Sequence, residues 1–164
     1  MDFKSVIKVL LFSLLLLLFS SCTTATGNDG GTPDGPVPLL GMLSGDLPVT
    51  ALSRLPVGQQ DQPVGYLNSQ QQLDAVLPLI AGAGKALPKV DFTSQIVLFS
   101  RNTVFYNRLS IGQVSRSGAT LRVLAMETMS ARPIEDKVAI SLVVIERNGA
   151  RYIEGGEQKI TIGD

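Results

Sequence analysis

The sequence predicts an α+β fold: mostly antiparallel β-sheet, sandwich- or barrel-like, with one short helix. Three observations carry this. From Asp91 onward, runs of β-branched and apolar residues alternate with turn signals to the end of the chain. Only one stretch, "SQQQLDAVLPLI", sets apolar residues at helical spacing. The greasy N-terminal run from Val9 to Phe19 falls short of the about 20 apolar residues that a bilayer span needs, so it stands outside the folded unit.

That run follows Lys4 and Lys8 and ends in Ser20 and Ser21, the pattern of an export signal. Behind it, "TTATGNDGGTPDGPVP" holds Thr, Gly, Pro and Asp and no large apolar cluster. Such a segment buries too little surface to offset its ordering entropy and reads as a flexible tether. The organisation expected is therefore a signal over 1–21, a linker over 22–38 and one domain over 39–164.

Composition bounds the domain. Lys plus Arg and Asp plus Glu are equal at 14 each, so no basic excess points to nucleic acid. Aromatic residues make up 5% of the chain and tryptophan is absent, so the core must be aliphatic. The single cysteine, Cys22, rules out an internal disulfide.

Along the domain, "PVTALSRLP" and "QPVGYLNS" read as two short strands around the turn-rich "VGQQDQ". Ser69 and Gln72 then have capping-box spacing, and Leu73, Val76, Leu77 and Ile80 mark the buried face of a helix that Pro78 cuts short. "QIVLFSR", "NRLSIGQVSR" and "ATLRVLAME" are strands, the last two joined at Ser117-Gly118. In "DKVAISLVVIER" both faces are apolar: Ile140, Leu142 and Val144 on one, Ala139, Ser141, Val143 and Ile145 on the other. This is the signature of a central strand. Asn148-Gly149 predicts a tight hairpin, because its turn needs positive φ at both central residues, with "ARYIE" returning beside that strand. Gly155-Gly156 ends that strand and "EQKITI" closes the fold.

Phe19-Ser20-Ser21-Cys22 resembles the bacterial lipoprotein signal, in which small residues precede a cysteine that becomes the lipidated N-terminus. The resemblance implies a diacylglyceryl thioether and an N-acyl group on Cys22. Together these supply the multiple chains that stable anchoring requires. Thr23, a residue other than aspartate, implies sorting to the outer membrane, facing the periplasm or the cell surface.

"YLNSQQQLDAVLPLI" followed by "LPKVDFTSQIVLFS" and a strand pair resembles the C-terminal domain of the protease-complex subunit PrcB family. The matching positions are Ser69, Leu73, Pro88, Val90, Asp91, Phe92, Ile96 and Val97, within a span of about residues 49–162. The resemblance implies a non-enzymatic subunit that stabilises or docks a surface protease complex. Where the family carries Gly-Gly-Tyr, this chain has "TVFYNRLSI", with Tyr106 in the aromatic position and both glycines replaced.

The chemistry is sparse. Histidine is absent, which excludes His-based triads and His metal sites. With Cys22 committed to the anchor, no cysteine is left as a nucleophile. A Ser-Lys dyad using Lys85, Lys89, Lys137 or Lys159 stays open by counting, but no motif places a serine beside any of them. Glu135-Asp136 reads as a solvated loop, and Asp91 as a turn residue ahead of Gln95. Neither "GAGK" nor any other stretch has phosphate-loop spacing. No catalytic residue, cofactor or metal is assigned.

Two features suggest contact with another envelope protein. Val104, Phe105 and Tyr106 are expected at a hairpin tip, as exposed rings or as plugs of the sheet end. Arg101, Arg108, Arg116, Arg122 and Arg132 occur in a span whose only acid is Glu127, either as a positive patch or as ordinary solvent-facing strand residues. Arg101 and Arg108 flank the tip and join it as candidate contacts. The reading is a lipid-anchored, protein-binding envelope component. The alternatives are a small hydrolase or a purely structural lipoprotein.

Overall fold

The computed structural model describes residues 33–82 and 86–163. The signal, Cys22, most of the linker and Lys85 lie outside them. The domain is an α+β sandwich of two sheets with one short α-helix. The four-stranded sheet has the order β2 (Gly41–Pro48), β7 (Lys137–Glu146), β4 (Gln95–Arg101), β3 (Val64–Leu67). The five-stranded sheet has the order β1 (Gly35–Pro36), β5 (Leu109–Ser117), β6 (Thr120–Glu127), β8 (Tyr152–Gly155), β9 (Gln158–Thr161). All pairings are antiparallel except β6 with β8.

The four-stranded sheet is buried on both faces because its sequences are apolar on both. Val143, Ile145, Ile96 and Leu98 point into the core between the sheets, with Ile111, Val114, Leu121 and Ile153 opposite. Ile140, Leu142, Val144, Val97 and Phe99 point the other way, under the helix α1 (Gln70–Val76) and its neighbouring loops. Helix α1 starts as its spacing predicts: the Ser69 hydroxyl accepts from the Gln72 amide, while the Gln72 side chain accepts from the Asn68 amide. Pro78 turns its end into a 3₁₀ turn over Leu77–Leu79.

Four expectations are corrected. "PVTALSRLP" is not a strand: Val49–Arg54 is a 3₁₀ helix, and Val49, Leu52 and Leu55 recur at its three-residue period and pack on the core. The strand in this region is β2, whose "GMLSGDLP" has too little β propensity to announce itself. Asn148-Gly149 is a turn with φ of 42° and 74°, yet "ARYIE" does not return beside β7. Both edges of β7 are taken by β2 and β4, so β8 crosses to the other sheet and runs parallel to β6. The end of the expected linker is part of the domain, since Gly35–Pro36 pairs with β5 and Val37 and Leu39 pack on the inter-sheet core.

Candidate functional site at the crossover end

Residues 102–108 join β4 to β5, which lie in different sheets. They form a crossover rather than a hairpin tip. A buried asparagine shapes it. The Asn102 side-chain oxygen accepts from the Asn107 and Ala139 amides, folding the segment back onto β7. The segment then pairs irregularly with the β6–β7 connection: the Thr128 amide donates to the Arg108 carbonyl, the Tyr106 amide to the Arg132 carbonyl, and Phe105 bridges Pro133. The β5–β6 ladder thus continues outward as a ribbon.

Tyr106 locks the ribbon to the four-stranded sheet. Its hydroxyl donates to Asp46 Oδ1 at 2.7 Å, and Lys137 Nζ donates to Asp46 Oδ2 at 2.6 Å. Lys137 and Arg132 lie 5.2 and 5.8 Å from the Tyr106 ring centroid, within cation–π range. Burial pushes the Asp46 carboxyl up, but the hydrogen bonds from Lys137 and Tyr106 and the charge of Lys137 outweigh it and hold the carboxyl below its usual range. The hydrogen bond to Asp46 raises both Tyr106 and Lys137 above their ordinary values. Beside the cluster, an open groove of about 430 Å³ runs between Ser44, Gly45, Ala81, Arg108 and Leu109. Gly45 is required there: a Cβ would stand 2.4 Å from the Ala81 carbonyl, which the Asp46–Ala81 bridge brings against β2.

Of the candidate contacts, Val104 and Phe105 are exposed, at 66% and 46% of their surface, and Arg108 is exposed at the groove. Tyr106 is half-buried and acts as the clamp. Arg101 is buried: its guanidinium holds the Asn102 and Gln60 carbonyls. Arg116 is buried likewise, donating to the carbonyls of Arg147 and Asn148 at the β7–β8 turn. Arg122 pairs with Glu154. The five arginines therefore do not share one face. Asp46, Asn102 and Lys137 were missed by sequence reasoning, and no local signal marks them, because Asp46 lies 60 residues from Tyr106 and 91 from Lys137.

The groups that a hydrolase would need are otherwise engaged. Ser44 donates to Ser141, whose fully buried hydroxyl also accepts from the Ile111 amide across the sandwich. Lys137 sits on Asp46 and Lys159 on Glu154. Asp91 accepts from the Thr93 amide and hydroxyl and from the Ser94 hydroxyl, as a turn residue does. Among the described residues, no three Cys, Asp or Glu side chains converge as a metal site does, and no helix is long and apolar enough to cross a membrane. Compared with protein-family models, curated proteins and solved structures, the chain finds no match.

Proposed function

We propose that this protein is a lipid-anchored component of the bacterial cell envelope. Its sandwich domain binds another envelope protein without catalysis, as a stabilising subunit of the kind that the resemblance to PrcB implies. Anchoring rests on Cys22. Binding rests on one observation: Val104 and Phe105 are apolar and exposed on a segment held rigid by Asn102 below and by the Tyr106–Asp46–Lys137 cluster beside it. An exposed apolar pair on a preorganised base loses little entropy on docking, and buried aromatic anchors dominate interface energies.

The test uses the full chain with its anchor, recovered from solubilised membranes. The unmodified chain should bring down a defined envelope protein in stoichiometric amount. Val104→Ser with Phe105→Ser should reduce that recovery at least tenfold while leaving the melting temperature in place. Unchanged recovery removes the binding surface. Acyl labelling that survives Cys22→Ala removes the anchor.

A further inference from the structure

A strand edge with unpaired backbone groups invites another strand, and folded proteins usually blunt it. Four edges here are managed. At β2, Ala81 bridges Asp46. At β3, the Gln59 side chain accepts from the Tyr66 amide. β1 is two residues long and contains Pro36. β9 is four residues long and carries the exposed Lys159. β6 differs. It is paired with β5 along its whole length, but β8 stops at Arg122, so among the described residues no strand covers the second side of β6 beyond Val123.

The backbone groups on that side can be identified. Ile111 donates its amide to Ser141, away from β6, so its partner Ala125 belongs to a pair that does not bond across the β5–β6 ladder. The Thr128 amide does bond to β5's side, at the Arg108 carbonyl. By alternation, Ala125 and Glu127 turn their N–H and C=O groups to the open edge. The flanking side chains Leu124 and Met126 are each 59% exposed, and neither a proline nor an inward charge blocks the segment.

The geometry points to a second copy of this chain as the occupant, its β6 running antiparallel to the first. A two-fold axis at Met126 makes Ala125 of each copy exchange two hydrogen bonds with Glu127 of the other. The partner strand then begins clear of β8. Met126 packs on its own counterpart, with Leu124 against Thr128, so the apolar surface covers itself. This pairing needs neither the anchor nor the Val104–Phe105 contact. The area is below the about 800 Å² per partner of a standard interface, so the pair is weak in solution and gains when copies are concentrated.

The test is cross-linking of the full chain with Cys22→Ala, so that the introduced thiol is the only one. At the axis, Cα atoms stand about 4.5 Å apart, within disulfide reach. Met126→Cys should form a disulfide dimer at least tenfold faster than Val57→Cys, a control at another exposed apolar position. Adding Ala125→Pro, which removes an edge amide not used by β5, should bring the rate down to that of the control. Equal rates for Met126→Cys and Val57→Cys overturn the proposal. So does a fast rate that Ala125→Pro leaves unchanged, because strand pairing is then not what brings the copies together. If Ala125→Pro fails to fold, sedimentation of Met126→Lys carries the test: self-association should fall at least tenfold, and unchanged association overturns the pairing.

Discussion

β7 and β6 are the clearest contrast in the molecule. Val138 to Ile145 in β7 are buried without a break, flanked by strands on both edges and by cores on both faces. β6 buries only Leu121 and Val123, faces solvent on one side and leaves part of one edge bare. Of the nine exposed large apolar residues among the described ones, five lie on β6 or on the ribbon that extends it: Val104, Phe105, Leu124, Met126 and Met129. One strand holds the domain together, and the other is where it meets something else.

The sharpest way to break this contrast is Val143→Asp. Val143 is fully buried between the sheets, and a charge there finds no partner. The loss should be at least about 4 kcal/mol, a large part of a small domain's total stability. Circular dichroism should show no cooperative melt. A stable variant would mean that β7 is not the central strand.

The same contrast explains what the sequence made legible. β7 could be read directly, because eight consecutive buried positions leave no polar residue but Ser141 to disguise it. β2, its neighbour, could not, because Gly41, Ser44, Gly45 and Asp46 are chosen for close approach and for the Tyr106–Lys137 clamp rather than for strand propensity. The turn at Asn148-Gly149 was legible as backbone geometry, but its strand partner depended on which edges were still unoccupied, a fact of the assembled sheet. Val104 and Phe105 stood out as apolar residues in a loop. Nothing local separated Tyr106, which is held, from Phe105, which is presented. Nor did anything separate Arg108 from the buried Arg101.

On the β6 side, Val104→Ser with Phe105→Ser should lower partner recovery at least tenfold, about 1.4 kcal/mol or more, with stability changed by no more than about 0.5 kcal/mol. A large fall in melting temperature would place these side chains with the core. On the four-stranded sheet's helical layer, Ser69→Ala should cost about 1 kcal/mol by freeing the Gln72 amide, read as a shift in the denaturation midpoint. No shift would mean that the cap contributes nothing to holding α1 in place.

The smallest effect concerns the clamp between the two regions. The folded-state pKa of Asp46 lies below its ordinary value of 3.8, so its contribution is complete above that value and is lost as pH falls through the lower one. Lys137 and Tyr106 are raised from 10.5 and 10.0, so theirs holds below those values and fades as pH rises past them. Asp46→Asn should therefore flatten the acid side of the stability profile measured by melting below pH 3.8. An unchanged acid limb would mean that the carboxylate is not tied to the clamp.

Amide-resolved hydrogen exchange on the full chain, below the concentration at which copies pair, tests the contrast most directly. Val138 to Ile145 should exchange only through global unfolding. Along β6 the pattern should alternate: the Leu124 and Met126 amides, bonded to β5, are protected, while those of Ala125 and Glu127 exchange close to the rate of an open chain. Protection of Ala125 and Glu127 equal to that of Leu124 and Met126 would contradict the account, since the edge of β6 would then already be covered.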